Sequence, residues 1–136
     1  MKKNMKRLIN VVIAMGMAAI MVWPVLAVTQ QNIHLPANQV WMTAGSVYRS
    51  GNRLNVYARC HSVYPVSGVD TFHIIQCRVL NSSGVEISDT VKLNEAASTY
   101  TGISIYDGHL SESPATFQFR GNTASEAYAV VSYQGY

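Results

Sequence analysis

The stretch of sequence that decides the fold is residues 78–87, which read RVLNSSGVEI. Its central Asn-Ser-Ser-Gly has the composition of a type I turn followed by a glycine in the left-handed backbone region, which closes a tight β-hairpin with a bulge. This hairpin places Val79 opposite Ile87 on one face and leaves Arg78 and Glu86 on the other. Because packing and turn chemistry agree on the register, the segment predicts two antiparallel strands.

Alternating apolar and polar residues extend the strand pattern on both sides of the hairpin. Residues 53–60 place Leu, Val, Ala and Cys at every second position, and residues 115–120 alternate around two phenylalanines. This period of two is typical of half-buried strands. Further strands are predicted at residues 72–80, 85–88, 100–106 and 127–133, with a short initial pair at 40–42 and 47–48. Only residues 94–97 look helical, over about one turn.

These segments predict the fold class. Short strands spaced about ten residues apart are typical of an all-β sandwich or barrel. Their connections are too short for helical crossovers, which favours antiparallel pairing. We therefore expect an antiparallel β-sandwich of roughly seven to eight short strands, with a small β-barrel as the alternative.

The N-terminus has the three parts of a secretory signal. Four basic residues lie within the first seven positions, a 13-residue apolar run covers residues 11–23, and Val25 and Ala27 precede the expected cut. We predict a signal helix over residues 1–27, one all-β domain over residues 28–136, and a secreted, extracellular or cell-surface location. An uncleaved membrane anchor is the alternative, although a spanning helix needs ~20 apolar residues.

Removal of the signal changes the charge of the protein. The chain has ten Lys and Arg against seven Asp and Glu, and four of the ten basic residues lie in the signal. The mature part therefore has six positive and seven negative charges, a net charge of −1. Such a balance gives no electrostatic footprint for nucleic acid or an anionic membrane. We expect membrane contact only through the signal segment, and an extracellular glycan or protein as the partner.

The chain has two cysteines, Cys60 and Cys77. In an oxidising extracellular setting a disulfide between them is the natural expectation. A two-residue turn within residues 67–70 would place them directly opposite each other on paired strands. The same register sets Arg59 against Arg78, which is unfavourable. A bridge between two sheets and two buried free thiols are the alternatives.

The sequence carries no recognisable catalytic or metal-binding pattern. The four histidines, at positions 34, 61, 73 and 109, lack the spacing of zinc ligands. Neither a G-x-S-x-G elbow nor a C-x-x-C redox pair occurs. We therefore expect a non-catalytic protein with no metal and no cofactor.

Aromatic side chains are the clearest candidates for binding. Every tyrosine follows the signal, and the candidates for ring exposure are Trp41, Tyr57, Tyr64 and Tyr106. Amphipathic rings of this kind stack on sugars and anchor protein contacts, although tyrosine is also simply favoured in strands. We predict a binding module for glycan, cell envelope or protein. A secreted antimicrobial or toxin-like effector is the second hypothesis, and a small hydrolase is the third.

Overall fold

The structure is a computed structural model that describes residues 25–49, 52–66, 72–122 and 125–136. Nearly all of the predicted signal helix, residues 1–24, lies outside the described residues. The described chain forms eight β-strands and one short 3-10 helix. In chain order these are β1 (Ala27–Leu35), β2 (Met42–Val47), β3 (Asn55–Pro65), β4 (Ile74–Leu80), β5 (Val91–Asn94), β6 (Thr101–Ser104), the 3-10 helix (Asp107–His109), β7 (Ala115–Arg120) and β8 (Ala127–Gln134).

The strands form two antiparallel sheets of four strands each. Sheet I has the order β1-β8-β3-β6, and sheet II has the order β2-β7-β4-β5. Apart from the connection between β4 and β5, every connection crosses from one sheet to the other. This strand order is that of a jelly roll, in which two Greek keys build a double sheet. The prediction of an all-β, antiparallel, two-sheet architecture is therefore confirmed.

The core lies between the two sheets and follows from the alternation of apolar residues. In β7, Ala115, Phe117 and Phe119 are fully buried, whereas the residues between them are partly exposed. The ring of Phe117 in sheet II lies 4.7 Å, centroid to centroid, from the ring of Tyr133 in sheet I. Burying an aromatic side chain of this size stabilises the fold by roughly 1.5–3 kcal/mol. The contact between these two rings is therefore a major packing interaction between the sheets.

A partly buried polar contact also joins the sheets, beside Tyr133. The Tyr133 hydroxyl donates to Gln31 Oε1 at 2.6 Å, and Gln31 Nε2 donates to the carbonyl of Ala44 at 2.9 Å. A Cβ at Gly45 would lie 2.6 Å from the Tyr133 hydroxyl oxygen, so the position of this ring requires a glycine at residue 45.

Residues 42–47 form one strand, β2, which contains a bulge and pairs with β7. The predicted pairing of residues 40–42 with 47–48 is wrong, because Met42 and Val47 are the two ends of this same strand.

The hairpin that follows β4 has the predicted geometry. Gly84 has a φ of 80°, and the amide of Ile87 donates to the carbonyl of Val79 at 2.9 Å. On the other face, Arg78 Nη1 lies 3.6 Å from Glu86 Oε2. The predicted register is confirmed. Residues 85–88 nevertheless contribute only isolated bridges, one to β4 and one beside β6, because the segment passes from one sheet to the other.

Two strands are not predicted by the sequence pattern. Strand β1 is largely polar and contains a bulge, and β5 has only four residues. The predicted helical turn at residues 94–97 is wrong, because this segment is a hydrogen-bonded turn that follows β5. Strand β1 begins at Ala27, the last residue of the predicted signal. The preceding carbonyls, of Val25 and Leu26, also accept backbone hydrogen bonds from the domain.

The cysteines do not lie on paired strands. Cys60 is in β3 of sheet I and Cys77 is in β4 of sheet II, so the predicted cross-strand register is wrong. Both are free thiols buried in the core. Burial, with the nearby negative charge of Glu95, raises the pKa of Cys60 to about 12. Burial alone raises the pKa of Cys77. Both sulfurs therefore behave as small apolar groups.

Candidate functional site

The four predicted aromatic residues do not share one surface. Tyr57 and Tyr64 lie on the outer face of sheet I, in β3. Trp41 precedes β2 and contacts side chains on the outer face of sheet II. Tyr106 follows β6, where its hydroxyl donates to Asp89 Oδ1 at 2.7 Å. The structure therefore places the four predicted residues in three different parts of the surface: two on the outer face of sheet I, one at sheet II and one in the segment after β6.

A row of three aromatic rings crosses sheet I. His34 in β1 lies directly opposite Tyr128 in β8, and Tyr128 lies directly opposite Tyr64 in β3. The ring centroids are 5.2 Å apart for His34 and Tyr128, and 6.0 Å apart for Tyr128 and Tyr64. Tyr128 is 41% exposed and Tyr64 is 38% exposed. We call these three residues the tyrosine row.

Neighbouring polar groups orient the tyrosine row. The Tyr64 hydroxyl donates to Asn32 Oδ1 at 2.5 Å, and His34 Nε2 pairs with the Glu126 carboxylate. An amide and a carboxylate therefore border the rings. Cross-strand aromatic pairs of this kind also stabilise the sheet, by roughly 0.2–1 kcal/mol each. The row combines apolar ring surface with fixed hydrogen-bonding groups.

The sequence pattern alone does not mark Tyr128 or His34 as members of this site. The orientation of Tyr128 follows from alternation along its strand. Its neighbours Ala127 and Ala129 are fully buried, so Tyr128 points outward. Its neighbours across the sheet depend on the pairing of the last strand with both β1 and β3. That long-range pairing is not encoded in any local pattern.

The centre of the outer face of sheet I contains a serine–histidine pair. Ser132 Oγ lies 2.5 Å from His61 Nε2 and accepts a hydrogen bond from the amide of Gln30 at 3.1 Å. Strands β1 and β3 each have a bulge here, and Gln30 has a φ of 52°. Burial, with the positive charge of Arg59, lowers the pKa of His61. Because Ser132 is only 1% exposed, the pair connects the two bulges rather than presenting a nucleophile to solvent.

Tyr57 lies far from the tyrosine row along the same strand. It is paired with Gly102 of β6 on one side and Gln134 of β8 on the other. Seven residues separate it from Tyr64, which corresponds to roughly 20 Å of strand. The two predicted tyrosines thus share a face but cannot contact one small ligand together.

The outer face of sheet II carries a different group around Trp41. The guanidinium carbon of Arg78 lies 4.3 Å from the centroid of the Trp41 ring, and that of Arg120 lies 4.4 Å from it. These distances are typical of cation–π contacts. We call these three residues the arginine–tryptophan group. Trp41 was predicted as a binding residue, whereas the two arginines were not.

The described part of the chain has no cluster of three or more His, Cys, Asp or Glu side chains arranged to hold a metal ion. Within the same residues, no helix has the length and apolar character needed to cross a membrane. Comparison with protein-family models, curated proteins and solved structures gives no match for this chain.

Proposed function

We propose that this protein is a secreted, non-catalytic binding module that holds a glycan against the tyrosine row of sheet I. The observation that carries the proposal is the alignment of His34, Tyr128 and Tyr64 on three adjacent strands, with two of the rings well exposed. Strands hold these rings at fixed positions, so little conformational entropy is lost when a ligand binds.

The chemistry of the row suits a sugar ring. Tyrosine presents a large ring with a polar edge at low entropic cost, which matches the apolar face and the hydroxyl rim of a sugar. Asn32 and Glu126 border the rings and offer hydrogen-bonding groups at the edge. Specificity in small sites comes from a few such polar groups beside apolar surface.

Export is part of the proposal. Cleavage after Ala27 would leave residues 28–136 as the mature protein and would remove the carbonyls of Val25 and Leu26, which hydrogen-bond the amides of Tyr48 and Gly135. We expect the intact mass of the secreted protein to correspond to this cut. A mass that retains residues 1–27 would instead support the membrane-anchor alternative.

A depletion assay tests the glycan proposal. The secreted protein is incubated with washed cells, peptidoglycan and insoluble neutral polysaccharides, and its loss from the supernatant is measured. We expect saturable depletion by one of these materials, and loss of this depletion in the Tyr64→Ala and Tyr128→Ala variants. Tyr48→Ala is the matched control, because Tyr48 is 48% exposed and lies outside the row.

The outcomes separate the hypotheses. Depletion that persists in both tyrosine variants would overturn the assignment of the site to the row. Absence of depletion by every material would overturn the glycan proposal. A killing assay with the same protein tests the effector alternative, since growth inhibition without binding to envelope material is not expected of a binding module.

A further inference from the structure

Half of the positive charges of the mature chain lie on the outer face of sheet II. Arg78 is in β4, Arg120 is in β7 and Lys92 is in β5. Gln76 of β4 lies directly opposite Arg120 on one side and Lys92 on the other. The three cations therefore share one face across three adjacent strands, a width of about 10 Å.

The two arginines are held in place by neighbouring side chains. Arg78 Nε donates to Gln118 Oε1 at 2.8 Å, and Arg120 Nε donates to Gln76 Oε1 at 2.5 Å. Each bond joins an arginine to the glutamine directly opposite it on the neighbouring strand. Both guanidinium groups also contact the Trp41 ring. This arrangement fixes two planar groups that bind carboxylate or phosphate in a bidentate manner.

The charge of this face is not balanced by acids. Among the ion pairs that the described residues form, the one on this face is the contact between Arg78 and Glu86, at 3.6 Å. Among the described residues, this face thus has three positive charges and the one negative charge that pairs with Arg78. The other described residues include the remaining three basic residues and five acidic residues. The net charge of −1 therefore conceals a strong separation of charge between one face and the remainder.

We infer that the outer face of sheet II is a second binding site, one that takes the carboxylate or phosphate groups of an anionic polysaccharide. The arginines and Lys92 attract the acidic groups, and the Trp41 ring, which contacts both guanidinium groups, lies within the site. The spread of the cations over three strands suits a polymer with repeated charges more than a single small anion. This site is separate from the tyrosine row and does not depend on it, because the two lie on opposite sheets.

Tryptophan fluorescence tests this inference directly. In the form cleaved after Ala27, Trp41 is the single tryptophan, since the other is Trp23. The secreted protein is titrated with polygalacturonate, which carries carboxylates, and with a phosphomannan, which carries phosphates. Neutral dextran is the control polymer. We expect a saturable fluorescence change with at least one acidic polymer and none with dextran, and we expect the affinity to fall as salt is added.

Charge variants identify the residues. Lys92 is exposed, so Lys92→Gln should preserve the fold and weaken acidic-polymer binding by about two- to five-fold. The double variant Arg78→Gln, Arg120→Gln should lose the binding, with folding checked by its circular dichroism and thermal midpoint. Arg53→Gln is the matched control, because Arg53 is exposed and lies outside the group. Tyr64→Ala and Tyr128→Ala should bind the acidic polymer as the unmodified protein does.

Three results would overturn the inference. The first is the absence of any saturable fluorescence change with both acidic polymers. The second is equal binding by the Lys92→Gln and Arg53→Gln variants. The third is binding to single-stranded DNA that is tighter than binding to either polysaccharide, because stacking and arginine contacts also suit nucleic acid and that result would replace the ligand class.

Discussion

The two outer faces of the sandwich have the same architecture and opposite chemistry. On sheet I, rings from β1, β8 and β3 form a row bordered by an amide and a carboxylate. On sheet II, guanidinium groups from β4 and β7 surround one tryptophan and are held by glutamines. Each face is built from the outward residues of antiparallel strands whose inward residues form a common core.

This contrast shows that the chemistry of each face is set by the residues at its outward positions. A jelly roll determines which residues become neighbours, but it does not determine what those residues are. Net charge is a poor guide for the same reason. A value of −1 for residues 28–136 predicts no electrostatic footprint for nucleic acid or an anionic membrane, although three cations are concentrated on one sheet. The following predictions test whether the two faces depend on one core and act separately.

The largest effect is expected from a change in the core that supports both faces. Phe117 is fully buried against Tyr133 of the opposite sheet. Phe117→Ala should lower the free energy of unfolding by about 3–5 kcal/mol, as measured by denaturant titration. Phe117→Leu is the matched control and should cost less, because it leaves a smaller cavity. Retention of full stability by Phe117→Ala would contradict the packing described between the sheets.

A smaller effect is expected from the hydrogen bond between Tyr133 and Gln31 within sheet I. Tyr133→Phe removes the hydroxyl that donates to Gln31 Oε1 and leaves this acceptor without its partner. The free energy of unfolding should fall by about 1–2 kcal/mol. Tyr48→Phe is the control, because Tyr48 is exposed and its variant should be as stable as the unmodified protein. Equal stability of the two variants would show that the Tyr133 contact is not formed.

Much of the fold follows from the sequence, and the reasons for the failures are physical. The hairpin at residues 81–84 was predictable because its turn chemistry and the alternation beside it act locally. Strand β1 was not, since its polar residues pair with β8 across nearly the whole chain. The same long-range pairing brings Tyr128 beside His34 and Tyr64. Trp41 and Tyr64 could be proposed from residue type, but Arg78 and Arg120 became candidates only when the strand order placed them together.

The stability of the protein should depend on pH through His61, which lies on sheet I. Burial and Arg59 lower the pKa of His61 below 6.5 in the folded state. As pH falls below 6.5, the unfolded chain binds a proton at this histidine and the folded chain does not, so stability decreases on acidification. The thermal midpoint of the unmodified protein should therefore fall more steeply between pH 6.5 and the lowered pKa than that of His61→Gln.

The binding consequence of acidification differs between the faces. His61 lies on sheet I, whereas the cations Arg78, Arg120 and Lys92 lie on sheet II. Polygalacturonate binding, measured at a temperature where both forms stay folded, should therefore keep its dependence on Lys92 across the same pH interval. Identical pH profiles for the unmodified protein and His61→Gln would show that this histidine is not buried as described.

The smallest effect on stability concerns the cysteines. Because Cys60 and Cys77 are buried free thiols, a thiol reagent should not modify the native protein and should modify two thiols after unfolding. Addition of a reducing agent should leave the thermal midpoint unchanged. A mass lower than that of the dithiol form by two hydrogens would show instead that the thiols are bridged between the sheets.

The most direct test of two separate faces is a crossed binding measurement. Two double variants are compared: Tyr64→Ala with Tyr128→Ala, and Arg78→Gln with Arg120→Gln. The binding of each is measured to the neutral insoluble polysaccharide that depletes the protein and to the acidic polymer. We predict that the tyrosine variant loses only the neutral ligand and that the arginine variant loses only the acidic one. Loss of the same ligand by both variants, with both still folded, would contradict the separation of the two sites.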